Sequence, residues 1–189
     1  MNRLRLAAES DQVMIRLHED NDYENWYYHY QTRHPSKHKF DEGPLDLSRC
    51  TREWFQAIVH QHQQLAFQDI SYVFGVFRRS DGAHLGVVDL STLMRDHFQW
   101  GRLGYTIHNQ FWRRGYAKES ARLLLKLAFH HLHFHRIEAH IDTENLPSVK
   151  VAQSLGMTLE CVREAFLFDF NEWRNCYIYY QNQESCDEK

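Results

Sequence analysis

The hydrophobic pattern changes period several times along the chain. Val13–His18 alternates apolar and polar positions as a strand does. Asp20–Arg33 places acidic residues first and aromatic ones after, a helix whose first turn suits the positive end of the helix dipole. His34–Leu47 holds two of the three prolines and a Gly43-Pro44 step, and is predicted to be a loop. Ser48 or Thr51 is placed to cap a second helix running to about Phe67, with Trp54, Phe55, Ile58 and Leu65 as its apolar side. From Ile70 the period falls to two. Ile70–Arg78 and His84–Met94 read as strands joined at Ser80-Asp81-Gly82, and Gln99–Ile107 as a third. From Lys118 to about Phe134 a 3.6 period returns, with Ala117, Ala121, Leu124, Leu125, Ala128 and Leu132 on one stripe. Arg136–Ile141 is a short strand, and Pro147–Leu155 a short helix stopped by Gly156. Leu159–Phe170 and Trp173–Gln181 form a hairpin turning near Asn171-Glu172, and Ser185–Lys189 is expected to be a disordered tail. The predicted order is β-α-α-β-β-β-α-β-α-β-β, one α/β (α+β) domain over residues 1–189.

Composition narrows the partners. With 43% apolar residues the chain can bury a core, and a net charge of −3 carries no basic surplus of the kind nucleic acid demands. No window holds 18 consecutive apolar residues, and Met1–Ser10 lacks the apolar run of a signal peptide. Cys50, Cys161, Cys176 and Cys186 show neither a pairing framework nor metal-ligand spacing. The expectation is a cytoplasmic protein with no membrane and no nucleic-acid partner. His130, His131, His133 and His135 invite a metal reading, but no cysteine or carboxylate set joins them, so no metal is assigned. The six histidines of the first 62 residues form no motif, and Trp100 and Trp173 read as packing residues.

The most informative stretch is Phe111–Ser120, Phe-Trp-Arg-Arg-Gly-Tyr-Ala-Lys-Glu-Ser, lying between a strand and a helix. The first amides of a helix have no intrahelical partners, and the dipole is positive there, so this is a place to hold phosphate. Gly115 and Ala117 keep the turn short of side chains, and Arg113, Arg114 and Lys118 add charge suited to phosphates. The alternative is a solvated basic helix start. The turn follows the fourth predicted strand, not the first, and neither GxGxxG nor GxxxxGK[ST] occurs.

Leu103-Gly104-Tyr105-Thr106-Ile107, Trp112–Glu119, Arg136-Ile137-Glu138-Ala139, Asn145-Leu146-Pro147-Ser148 and Leu155-Gly156-Met157 complete a pattern. Together they resemble the GCN5-related N-acetyltransferase (GNAT) family, and within it the ribosomal-protein-alanine (RimJ/RimL-like) branch. The close match covers Leu103–Tyr180. The resemblance implies a mixed, mostly antiparallel central sheet of about seven strands flanked by helices, and acetyl-coenzyme A as co-substrate. It implies that Arg113, Arg114, Gly115, Tyr116, Ala117 and Lys118 hold the pyrophosphate. Thr106 and Ile107 would offer backbone groups to the pantetheine arm, with Asn145 also in the coenzyme-binding set, and an amide near Ile107 would stabilise the oxyanion. The family's [QR]-x-x-G-x-[GA] turn begins here with Trp112 instead of Gln or Arg.

For catalysis, Ser148 shares a helical stripe with Val151, Ala152 and Leu155. The tyrosine acid of many family members falls at Ala152, whereas the RimL-like branch uses a serine at Ser148, the candidate acid for the departing thiolate. The RimL-type glutamate base aligns with Leu167, with Glu164 and Asp169 near but not matching, so it does not carry over. Period 2 puts Glu138, His140 and Asp142 on one strand face. A base five residues before the asparagine, as in some N-terminal acetyltransferases of this fold, is His140, with Glu138 as its orienter. The implied acceptor is an amine, the N-terminal α-amine of a protein such as a ribosomal one. A small amine (a polyamine, amino acid or aminoglycoside) and a non-catalytic acyl-coenzyme A sensor are the alternatives. Asp20–Tyr30, acidic and aromatic, would suit a cationic acceptor as well as a plain amphipathic helix. A homodimer is compatible with the residues, which do not require one.

Overall fold

A computed structural model describes residues 6–183. One eight-stranded sheet runs in the order β1-β2-β3-β4-β5-β6-β8-β7. Its strands are β1 (Ala7–Glu9), β2 (Val13–Leu17), β3 (Ser71–Arg78), β4 (His84–Met94), β5 (Trp100–Ile107), β6 (Arg136–Asp142), β7 (Thr158–Asp169) and β8 (Glu172–Asn182). The helices are α1 (Tyr23–Gln31), α2 (Arg52–Phe67), α3 (Tyr116–His130) and α4 (Leu146–Ser154). The strand missing from the sequence reading is β1, whose three residues are too few to show a period. The expected tail Ser185–Lys189 lies outside the described residues. No described helix is long and apolar enough to cross a membrane.

Alternation divides the sheet into two faces. Val13, Ile15 and Leu17 of β2, and Val88 and Leu90 of β4, join the main core with Leu124, Leu125 and Ala128 of α3. The intervening Arg16, then His18, Asp89 and Arg102, belong to the opposite face, where Phe55 of α2 meets the His18 ring. α1 and α2 join around a smaller cluster of Trp26, Leu47, Phe55 and Val59. Of the two proposed caps of α2, Thr51 serves, accepting from the Trp54 amide.

The first helix is shorter than the expected Asp20–Arg33, because Asp20–Asp22 form a 3-10 turn before α1, and three further boundaries move. α3 starts at Tyr116, two residues early, because Gly115 at φ +82° closes the turn as its N-cap. It stops at His130, because the chain reverses at His133 (φ +57°) and Phe134, fully buried, bonds back to the Ala128 carbonyl. Leu132 therefore packs against the core from beyond the helix. The last hairpin turns on Phe170 and Asn171, both at positive φ, between Asp169 and Glu172. Trp173, expected to pack, is 64% exposed, since the outer part of this hairpin extends past the core.

The arrangement that matters most lies at the centre. β5 and β6 run parallel but pair only over Trp100–Arg102 and Arg136–Glu138. Beyond that point β5 stays with β4 as far as Ile107, and β6 stays with β8 as far as Asp142. The sheet thus splits into a wedge between Leu103–Ile107 and Ala139–Asp142.

Candidate active site

At the C-terminal end of β5, beside this wedge, lies a cleft of 890 Å³. Thr106, Ile107, Asn145, Ser148 and the whole turn from Arg113 to Lys118 line it, so the expected coenzyme-binding residues stand together with the expected acid. The first intrahelical bond of α3 runs from the Glu119 amide to the Gly115 carbonyl (3.0 Å). The amides of Tyr116, Ala117 and Lys118 precede it and have no intrahelical acceptor. A Cβ built on Gly115 meets no atom within 4 Å. Unspent amides facing a space free of protein are what a pyrophosphate requires, so the turn fits the group.

Trp112, the departure from the family pattern, has its own task. Its indole Nε1 donates to the Ile107 carbonyl (2.6 Å), and its ring stacks on His38 at 5.2 Å and 18°. This ties the end of β5 to the turn, and leaves the Ile107 carbonyl engaged within the protein.

A segment from His34 to Gly43 roofs the cleft, and its lock was not visible in the sequence. Asn109 accepts from the His34 amide (2.7 Å) and donates to the His34 carbonyl (2.7 Å) and to Asp41 (3.0 Å). Asp41 also faces Arg33 at 3.6 Å and accepts from the Lys37 and Gly43 amides. Burial pushes the Asp41 carboxyl up, but these bonds and the Arg33 charge outweigh it and hold it below the usual range. Asn109 and Asp41 are too far apart in sequence for any local pattern to pair them.

Ser148 sits in the first turn of α4, its amide donating to Asn145 Oδ1 (3.3 Å). No bond from its hydroxyl to a helix carbonyl is present among the described residues, and the residue lines the cleft. Tyr105, which sequence reasoning passed over, lies against it, its phenol donating to the Ser148 carbonyl (3.5 Å). Burial pushes that phenol up to about 12. Its signal was a phenol between Leu103 and Ile107 on the strand face that period 2 otherwise makes apolar.

Glu138 and His140 do not line the cleft; they stand on the other sheet face, beside the wedge. The two meet at 2.7 Å, and Arg136 Nε binds the second Glu138 oxygen at 2.8 Å. Burial alone pushes the Glu138 carboxyl up, but its bonds to His140 and Arg136 hold it below the ordinary value. Burial, outweighing the Glu138 charge, lowers His140, so the ring is neutral near pH 7. An ionised Glu138 accepts from Nε2–H, which leaves Nδ1 as the basic nitrogen.

One of the six early histidines, His18, joins two later ones in a row. His18 Nε2 lies 3.1 Å from His84 Nε2, and His84 Nδ1 lies 3.1 Å from His108 Nε2, all three rings buried. They form a row, not a convergent set. Among the described residues no group of three histidine, cysteine or acidic side chains is arranged to hold a metal ion.

A sheet split beside an anion-binding turn is the architecture of an acyltransferase domain. The family model described as Acetyltransferase (GNAT) domain matches residues 12–158, and the chain belongs to that family. The [Ribosomal protein uS5]-alanine N-acetyltransferase of Escherichia coli (strain K12) is 26% identical over 174 residues, 90% of this chain and 88% of that one. With the Bacillus subtilis protein named "Probable N-acetyltransferase YjcK" the identity is 33% over 102 residues, so this chain spans 56% of that relative's length and 54% of its own. Two solved structures share the fold: Mycobacterium smegmatis RimJ in complex with CoA-disulfide and the Vibrio fischeri ribosomal-protein-S5-alanine acetyltransferase. The first has a TM-score of 0.74 at 19% identity, covering 94% of this chain and 85% of that one. The second has a TM-score of 0.74 at 19% identity, covering 95% and 98%.

Proposed function

We propose that this protein transfers the acetyl group of acetyl-coenzyme A to a primary amine, with the N-terminal α-amine of a ribosomal protein as the foremost acceptor class. The observation that carries the reading is the cleft, whose unspent helix amides lie at one end and Ser148 on its wall. Tyr116, Ala117 and Lys118 would bind the pyrophosphate through their amides, with Arg113 and Arg114 adding charge. Thr106 and Ile107 flank the route of the pantetheine arm into the wedge, and Asn145 fixes the start of α4 and with it Ser148.

In the reaction the acceptor nitrogen gives a proton to His140 Nδ1, held ready by Glu138, and its lone pair forms the C–N bond at the thioester carbonyl. The C–S bond then breaks, the sulfur takes a proton from the Ser148 hydroxyl, and the second proton that the nitrogen sheds as the amide forms restores that hydroxyl. Positioning of the two substrates supplies much of the rate.

The test is thiol release from acetyl-coenzyme A with a panel of N-terminal peptides and small amines. Peptide-dependent release supports the reading; release with small amines alone moves the acceptor to that class; tight coenzyme binding with no release points to a sensor. Ser148→Ala is expected to lower kcat by about 10²-fold, the usual worth of a general acid. Its acetyl-coenzyme A affinity should stay within about twofold of wild type, since the phosphate contacts are untouched. Full activity in that variant removes Ser148 as the acid.

A further inference from the structure

On the sheet face opposite α3, one carboxylate has no role in the scheme above. Asp89 of β4 is half-buried and makes no hydrogen bond or ion pair within the described residues. Its partner across the β4–β5 ladder is Gly104, and a Cβ built there would lie 2.7 Å from Asp89 Oδ1. The carboxylate therefore leans over the bare backbone of β5. Gly104 stands two residues past Arg102, whose register partner on β6 is Glu138. Two residues past Glu138 is His140, so alternation puts Asp89, Gly104 and His140 in one cross-strand row on one face. The wedge opens within this row, between Gly104 and His140.

We propose that Asp89 binds the acceptor: above the floor of Gly104 and across the wedge from His140, its carboxylate holds the protonated primary amine beside the thioester site. This rests on the acetyl-transfer reading and adds its acceptor subsite. A half-buried carboxylate without a hydrogen bond is costly, and where Arg102 acts on it through charge alone, a primary ammonium supplies N–H donors as well. Burial, opposed by Arg102, pushes the Asp89 carboxyl up, which marks the same deficit. The row also gives the transfer its order: the ammonium docks on Asp89, loses one proton to His140, and the neutral nitrogen faces the wedge. Gly104 is needed because a Cβ there would strike the Asp89 carboxylate and displace it from its place beside the wedge.

The experiment is an NMR titration of the full chain, saturated with coenzyme A, using L-alaninamide as the charged probe and N-acetyl-L-alaninamide as the neutral one. Wild type should prefer the charged probe. Asp89→Asn should weaken it at least tenfold while coenzyme affinity stays within twofold. Gly104→Ala, which keeps the charge but pushes the Asp89 carboxylate out of position, should give a similar loss. Equal binding of L-alaninamide by wild type and Asp89→Asn, or no preference for charge in wild type, overturns the proposal. Amine-dependent thiol release is followed in parallel. Release with unaltered binding in Asp89→Asn defeats the subsite alone, whereas charge-selective binding without release defeats the transfer reading and leaves the subsite standing.

Discussion

Gly115→Glu is expected to abolish acetyl-coenzyme A binding, by at least about two orders of magnitude in Kd, in a protein that stays folded. The added Cβ meets no protein atom within 4 Å, so no internal clash opposes folding. The φ of +82° costs an L-residue about 1 kcal/mol, which a domain of this size tolerates. A carboxylate at the N-cap also suits the dipole of α3, offsetting part of that cost. What the variant removes is the anion site: the new carboxylate would occupy it and repel the phosphates. Calorimetric titration measures the loss, and circular dichroism checks the fold. Gly115→Ala separates strain from charge, and should bind more weakly than wild type but far better than the glutamate variant. Unchanged affinity in Gly115→Glu would place the coenzyme elsewhere.

Stability should fall steeply as the pH drops from about 6.5 towards 4, before most carboxylates titrate. The cause is the row His18–His84–His108. The central ring uses both nitrogens, and a neutral imidazole carries one proton, so it must donate to one neighbour and accept from the other. Protonating any ring puts a positive charge in the core, where burial has removed the water that would solvate it. Burial lowers His18 to about 4 and His108 to about 3, and holds His84 well below its ordinary value. The nearby charges do not reverse this: Asp22 opposes Arg16 and His62 at His18, His29 and Arg16 act on His84, and Arg33 and His29 act on His108. The unfolded chain therefore binds more protons than the folded one below 6.5. The histidine contribution is fully present above 6.5 and is lost as the pH falls through the folded values. For His18 alone the difference approaches roughly 3 kcal/mol near pH 4, at about 1.4 kcal/mol per pKa unit. His62 and His140 are lowered as well and add to the slope in the same direction. Asp41, Asp69 and Asp81 lie below the usual carboxylate range, so their losses come later. Urea midpoints at pH 7.5, 6 and 5 would test this, and a flat series would remove the row as a determinant of stability.

What the sequence disclosed, and what it hid, follows from the range of the interactions. α3, the Ser80-Asp81-Gly82 turn and the phosphate turn are local, and their residues carry the information within a few positions. Asp89 looked like one more polar step in an alternating strand, because its meaning depends on a glycine opposite it. His18, His84 and His108 lie at the edges of three strands, and only the β2–β3–β4–β5 register brings them together. The roof depends on Asn109 reaching back to Asp41, a contact that no window of sequence contains. The wedge was not read from the sequence, since two parallel strands that part after three residue pairs look the same in sequence as two that stay together.

Those three pairs also make the molecule a lever. β1 to β5 form one arm and β6 to β8 the other, pinned at Trp100–Arg102. The free length of β5 beyond the pin is about 17 Å, at ~3.3 Å per residue. A rotation of about 5° at the pin would then move the mouth by about 1.5 Å, while the residues next to the pin would hardly shift. A molecule can thus pass in or out at the wide end without loosening the three paired residues that hold the two arms together.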